Sequence, residues 1–160
     1  MSQLIPIAVF VNGTRWEGEV AAEERLLDFL RRRLRLTGTK WSCESQICGA
    51  CTVLVDDAPV SSCCFLAFEA DGREVTTVEG LAEDGEVSPL QRAFVGNVAA
   101  QCGYCTPGQL MSATALLREN PAPSFDELRH WMDGNLCRCG CYPAIATAIR
   151  EASAHGGEVE

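Results

Sequence analysis

The chain has 160 residues, 47% of them apolar, and its 13 basic and 22 acidic side chains leave a net charge of −9. That length allows one domain or two small ones with a real core, and the charge argues against nucleic acid or an anionic membrane as the main partner. No apolar run approaches the length of a membrane helix, and the N-terminus, MSQLIPIAVFVNG, has no basic n-region; no signal peptide is read, and the expected localisation is cytoplasmic.

In chain order, Ile5 to Val20 predicts a hairpin. Ile5, Ile7, Val9 and Val11 alternate, Asn12-Gly13 is a two-residue turn signal, and Arg15 to Val20 returns. A helix is expected over about Glu23 to Leu36, with Leu26, Leu27, Leu30 and Leu34 on one face. Its basic run at 31–35 reads as a solvated face near a helix C-terminus. A loop from Cys43 to Cys51 follows, then strands over Thr52–Val55 and Val60–Phe68 about an Asp56-Asp57 turn, then a strand over Glu74–Val78. Together these predict a small α+β domain over 1–80.

Residues 81–87 are acidic and read as a linker. Beyond it the pattern turns helical. Ser88-Pro89-Leu90-Gln91 is a capping box with proline at the first helical position, Thr106-Pro107-Gly108-Gln109 repeats that logic, and Ser124-Phe125-Asp126-Glu127 is a third box. Pro143 starts a fourth helix. Four short helices over 88–152, arranged as two αα-hairpins, would bring two cysteine loops to one end. The tail, 153–160, is expected to be disordered.

Ten cysteines stand out. With a chain this long and acidic, metal or cluster binding is favoured over disulfides. The two histidines, His130 and His155, lie outside the cysteine clusters, which disfavours histidine-ligated zinc and Rieske-type centres. Cys43-x4-Cys48-x2-Cys51 with a later cysteine is the spacing of plant-type 2Fe–2S ferredoxins. A bridged di-iron core needs two thiolates on each iron; a tight loop supplies three and a distant strand the fourth. Adjacent residues on a strand face opposite ways, so only one of Cys63 and Cys64 should point at the cluster, and spacing alone does not choose. Cys102-x2-Cys105 and Cys137-x-Cys139 supply two thiolates from each of two loops, which suits a second 2Fe–2S cluster. A four-thiolate zinc site is the rival, although the Cys137-x-Cys139 half is tighter than usual zinc knuckles.

CGACTV at 48–53, QCGYCTPGQ at 101–109 and GNLCRC at 134–139, in that order, closely resemble the small iron–sulfur subunit of the molybdenum hydroxylases, the family of xanthine dehydrogenase, aldehyde oxidoreductases and aerobic carbon monoxide dehydrogenase. The resemblance covers about residues 3–152. It implies a β-grasp plant-type ferredoxin domain followed by a four-helix-bundle 2Fe–2S domain. It implies that Cys43, Cys48, Cys51 and Cys63 bind the first cluster, that Cys102, Cys105, Cys137 and Cys139 bind the second, and that Gln101 contacts molybdopterin held by a large subunit. Electrons would pass from the molybdopterin site through the second and first clusters to FAD in a medium subunit, in a dimer of heterotrimers. The TPGQ after Cys105 is more similar to FAD-partnered members than to cytochrome-linked ones. The family usually reads CRCTGY where this chain has CRCGCY, so Cys141 takes the place of a glycine, is expected not to be a ligand, and would either crowd the turn or offer a spare thiol near the cluster. Glycine is also frequent in the family at the positions of Ser42 and Gln46, so either Gln46 is expected in an unusual backbone conformation or the loop is expected to differ locally.

The chain carries no nucleophile–base motif, phosphate loop or dinucleotide fingerprint, which leaves electron transfer without substrate chemistry of its own. Two rivals stand beside the subunit reading: a free-standing two-cluster electron carrier, which size on a column would reveal, and a zinc-stabilised interaction module, which would be colourless.

Overall fold

The structure, a computed structural model, describes residues 3–82 and 85–155. The alternating N-terminal segment forms β1 (Leu4–Val11) and β2 (Thr14–Ala21), an antiparallel hairpin with Val9 opposite Trp16 and Val11 opposite Thr14. Its turn needs two left-handed residues, and Asn12 (φ 49°) and Gly13 (φ 75°) supply them. The Asn12 side chain also accepts the Thr77 N–H at 2.8 Å, pinning the turn to a later segment.

The helix expected over Glu23–Leu36 is shorter. Helix α1 spans Leu26–Asp28 and runs on as a π-helical turn, Phe29–Arg33. The reason is tertiary: Arg25 forms an isolated antiparallel bridge with Leu66, so the chain is still extended there. The wider turn places Phe29 inward beside Leu26, Leu27 and Leu30, all fully buried, while Leu34 is half-buried.

Strands β3 (Thr52–Val55) and β4 (Ala58–Ser61) form a second hairpin about Asp56-Asp57, both left-handed. The expected second strand therefore stops at Ser61; Ala67–Ala70 is a 3-10 turn instead. Strand β5 (Glu74–Thr76) completes a five-stranded sheet in the order β2-β1-β5-β3-β4, with β1 and β5 parallel and the other pairs antiparallel. All four residues of β3 are buried, because both of its faces are covered. Val53 and Val55 enter the core beneath the sheet with Val9, Val75 and Phe29, whereas Leu54 points the other way into the helical core.

Helices α2 (Pro89–Gly96), α3 (Thr106–Glu119), α4 (Phe125–Met132) and α5 (Tyr142–His155) build the second half. The capping boxes at Ser88 and Ser124 are formed, each hydroxyl accepting from the third helical N–H. The third expected cap differs: Cys105, not Thr106, is the N-cap of α3, and its side chain makes no capping bond. Helix α3 packs on α4 and on β3, whereas α2 packs chiefly on α5, so two hairpins of consecutive helices are not formed. Helix α5 continues to His155, so the first three residues of the expected tail are helical; Glu83 and Asp84 of the expected linker and residues 156–160 lie outside the described residues. Among the described residues no helix is long and apolar enough to cross a membrane.

Candidate metal centres

Cys43, Cys48 and Cys51 lie on the loop before β3, with no regular secondary structure of its own, and Cys63 and Cys64 follow the end of β4. That loop is fixed by its own backbone: Lys40 N–H donates to Ala50 O at 3.2 Å and Thr52 N–H to Gly49 O at 3.1 Å. The Ser62 hydroxyl donates to Cys51 O at 2.7 Å, which draws the end of β4 onto the loop. Two backbone N–H groups, of Ser45 and Cys48, point at the Cys43 sulfur at 3.5 and 3.4 Å. Gln46 takes a left-handed φ of 62°, as does Glu44 at 53°; the unusual conformation expected of Gln46 is present and is shared with its neighbour.

Cys48, Cys51 and Cys63 are buried, and Cys43 and Cys64 are exposed. Cys51 and Cys63 sit side by side against Leu27 and Trp41. Cys64 lies on the outer side, its sulfur 3.7 Å from that of Cys63. Hydrogen bonds from the Ser45 side chain and backbone lower the Cys43 thiol to about 6, whereas burial pushes Cys51 up to about 12.

The second group comes from two loops. Cys102 and Cys105 lie in a turn whose left-handed position is Gly103 (φ 75°), immediately before α3. Cys137 and Cys139 lie between α4 and α5. The two loops meet in cross-loop pairs, Cys102 with Cys139 and Cys105 with Cys137. Burial pushes Cys105 up to about 12. Burial also acts against ionisation of Cys137, but donors from Cys141, Cys105 and the Cys139 backbone outweigh it and its thiol is lowered. The backbone N–H of Tyr104 lowers Cys102. Gln101 is exposed at the rim, its Nε2 donating to Cys139 O at 3.5 Å.

Cys141 is buried in the helical core. Its N–H donates to the Cys137 sulfur at 3.4 Å, and its carbonyl accepts Ile145 N–H at 2.9 Å, so it opens α5. The expected crowding does not arise, because the left-handed residue of this turn is Gly140 (φ 77°) and not Cys141. A Cys141→Ser variant is therefore expected to retain both clusters, which iron and sulfide analysis of the purified protein checks; loss of either would make Cys141 a ligand.

Both sites suit a di-iron cluster. Each gathers several free thiols from separate segments of the chain with backbone N–H groups aimed at sulfur.

Several residues near these sites were not singled out from the sequence. Asn135 is buried, donates to Gly49 O at 3.1 Å, and accepts from Gln109 Nε2 at 3.1 Å. Leu136 N–H donates to Cys48 O at 2.9 Å, one residue before Cys137. The Tyr104 hydroxyl donates to Trp41 O. The signal available was adjacency: each except Trp41 lies inside a cysteine motif.

The family model described as a 2Fe-2S iron-sulfur cluster binding domain matches residues 9–82, and that of a [2Fe-2S] binding domain matches 77–150. The chain is 50% identical over 151 residues to the nicotine 6-hydroxylase small subunit of Paenarthrobacter nicotinovorans, covering 94% of this chain and 91% of that protein. It is 46% identical over 148 residues to the nicotinate dehydrogenase small FeS subunit of Eubacterium barkeri, covering 92% and 94%. The crystal structure of quinoline 2-oxidoreductase from Pseudomonas putida 86 contains a chain that superposes with a TM-score of 0.92 at 46% identity, covering 99% of this chain and all of that one. An aldehyde oxidoreductase of Desulfovibrio desulfuricans superposes at 0.91 with 39% identity, but there the match is 17% of a longer chain. With both thiol sites matched by 2Fe–2S domain families and relatives this similar along nearly the whole length, the chain belongs to the small 2Fe–2S iron–sulfur subunits of the molybdenum hydroxylase family.

Proposed function

We propose that this chain relays electrons from a molybdopterin site in a large partner subunit to FAD in a medium one. As a member of its family it is the electron-transfer subunit of an oxidoreductase. In this reading a β-grasp ferredoxin domain (1–80) is joined by a linker (81–87) to a four-helix-bundle domain (88–152). Cys43, Cys48, Cys51 and Cys63 hold the first 2Fe–2S cluster, and Cys102, Cys105, Cys137 and Cys139 hold the second. Gln101, exposed at the rim of the second site, contacts the molybdopterin. The assembly is a cytoplasmic dimer of heterotrimers. The names of the relatives support a partnered role, since they are small subunits of larger enzymes.

A bound 2Fe–2S cluster supplies one-electron transfer. The protein supplies position. The observation that carries the reading is the join between the two sites: Cys48 O accepts from Leu136 N–H at 2.9 Å, so one hydrogen bond and one residue separate a thiol of the first site from Cys137 of the second. A relay needs two sites rigidly coupled, and a mere pair of structural metals does not. Burial of Cys63 against Cys51, with Cys64 on the outside, supports Cys63 as the fourth ligand.

Quantitative EPR on the anaerobically reduced protein tests this. Two distinct signals, each integrating to about one spin per chain, are expected. One signal would assign the helical site to another metal, and none in intact protein would end the electron-transfer reading. The ligand choice is tested in the same way: Cys63→Ser is expected to remove or reshape the first-cluster signal, and Cys64→Ser to leave its spin count unchanged.

A further inference from the structure

Trp41 sits in the first loop, two residues before Cys43, and is held from several sides. Its indole packs on Leu27, Cys51 and Cys63. Two guanidinium groups lie over the ring, Arg31 at 4.7 Å and Arg32 at 5.2 Å from its centroid. Arg31 is itself fixed, donating to Thr37 O at 2.8 Å and Thr39 O at 2.7 Å. The Trp41 carbonyl accepts from the Tyr104 hydroxyl, which ties its backbone to the other cysteine loop.

Against that order stand two buried donors without a partner among the described residues, Arg31 Nε and Trp41 Nε1; Arg31 has other donors that are met, so the fully orphaned side chain is Trp41. Trp41 Nε1 is wholly shielded from solvent and has no hydrogen-bond partner among the described residues. Tryptophan nitrogen is a donor only, and burying it unsatisfied costs on the order of 1–3 kcal/mol. The other two tryptophans are differently placed: Trp131 Nε1 donates to Ser112 O at 2.9 Å, and Trp16 packs edge-on against Phe29. A clamped ring with an orphaned donor, set against two thiols, implies that an acceptor belongs there.

We propose that Trp41 donates its indole N–H to a sulfur of the first cluster, and that Arg31 and Arg32 over the ring reinforce that bond, so that Trp41 is a positioning residue that raises the first cluster's potential. The inference rests on the reading of Cys43, Cys48, Cys51 and Cys63 as a 2Fe–2S site and adds a donor outside the ligand set. The physics is electrostatic. Reduction adds one negative charge, which a hydrogen bond to sulfur stabilises, most of all where water is excluded. A cation over the π face draws electron density from the indole and makes its N–H a better donor.

The test uses the intact protein grown with ¹⁵N-indole tryptophan, reduced anaerobically and examined by pulsed EPR on the first-cluster signal. A ¹⁵N hyperfine coupling is expected in the native protein and is expected to vanish in Trp41→Phe, which keeps the packing and removes the donor. EPR-monitored redox titration of the same variant is expected to show the first cluster's potential shifted to more negative values and the second unchanged. A first-cluster signal present without ¹⁵N coupling overturns the inference and leaves the site reading intact; no first-cluster signal in native protein overturns both. Should Trp41→Phe fail to fold, the native ¹⁵N measurement alone still decides.

Discussion

Replacing Cys137 by alanine is expected to remove the second-cluster EPR signal and to leave the first at full spin count. Cys137 is buried at 7% exposure and comes from a different loop than its thiol neighbour Cys105. A di-iron core that loses one of four thiolates keeps an open position on one iron. Cys141 is the one nearby thiol that could substitute. Its thiol already lies in hydrogen-bond contact with that of Cys137, but its backbone is committed, the N–H facing the Cys137 sulfur at 3.4 Å and the carbonyl holding the first turn of α5 at 2.9 Å, which limits how far its sulfur can follow the vacated position. Ligand binding free energy is also folding free energy in such sites, so the helical domain of the variant should melt earlier than that of the native protein. Iron analysis, EPR and thermal melting on one preparation check all three statements. Retention of both signals would show that Cys141 moves in, and would reassign the ligand set.

What the sequence disclosed was what local chemistry dictates. Asn12-Gly13 marked its turn because left-handed φ is a property of two adjacent residues. Cys43, Cys48 and Cys51 announced a cluster loop because the spacing of thiolates around a di-iron core is itself local. The boundary of α1 was not legible, because the residue that ends its N-terminal side, Arg25, is held extended by an isolated bridge to Leu66, 41 residues on. Spacing left the choice between Cys63 and Cys64 open and only the family resemblance pointed to Cys63, since both lie past the end of β4; in the fold, packing against Leu27 and Cys51 separates the inner thiol from the outer. Asn135 is the clearest case. Its partner, Gly49, is 86 residues away, and no periodicity or spacing relates the two. Trp41 reads in sequence as an ordinary loop aromatic; only burial without a partner sets it apart.

Gly108→Ala is expected to destabilise the protein by about 3 kcal/mol or more, and to loosen the two domains from each other without removing a ligand. Gly108 lies in the first turn of α3, where alanine would ordinarily gain up to about 1 kcal/mol. Here the sign reverses. A Cβ on Gly108 would collide with the Gly49 carbonyl oxygen and press on Gly49 C at 3.1 Å and Ala50 Cα at 3.2 Å, all of it backbone. That carbonyl has nowhere to go: it accepts from Thr52 N–H at 3.1 Å, Thr52 Oγ1 at 2.8 Å and Asn135 Nδ2 at 3.1 Å, and Gly49 itself is left-handed at φ 68°. Relief requires α3 to draw back from the cluster loop, which strains the neighbouring Leu136–Cys48 hydrogen bond through which the two sites are joined. At about 2–4 °C per kcal/mol for a chain of this size, the melting temperature should fall by roughly 10 °C. The control is Gly96→Ala at the exposed end of α2, where an added Cβ meets nothing within 4 Å and stability should be unchanged or slightly raised. Thermal melting separates the two variants, and the magnetic interaction between the two reduced clusters should weaken in Gly108→Ala alone. If both variants melt alike, the contact of α3 with the cluster loop is not what holds the domains together, and the coupling of the two sites must rest elsewhere.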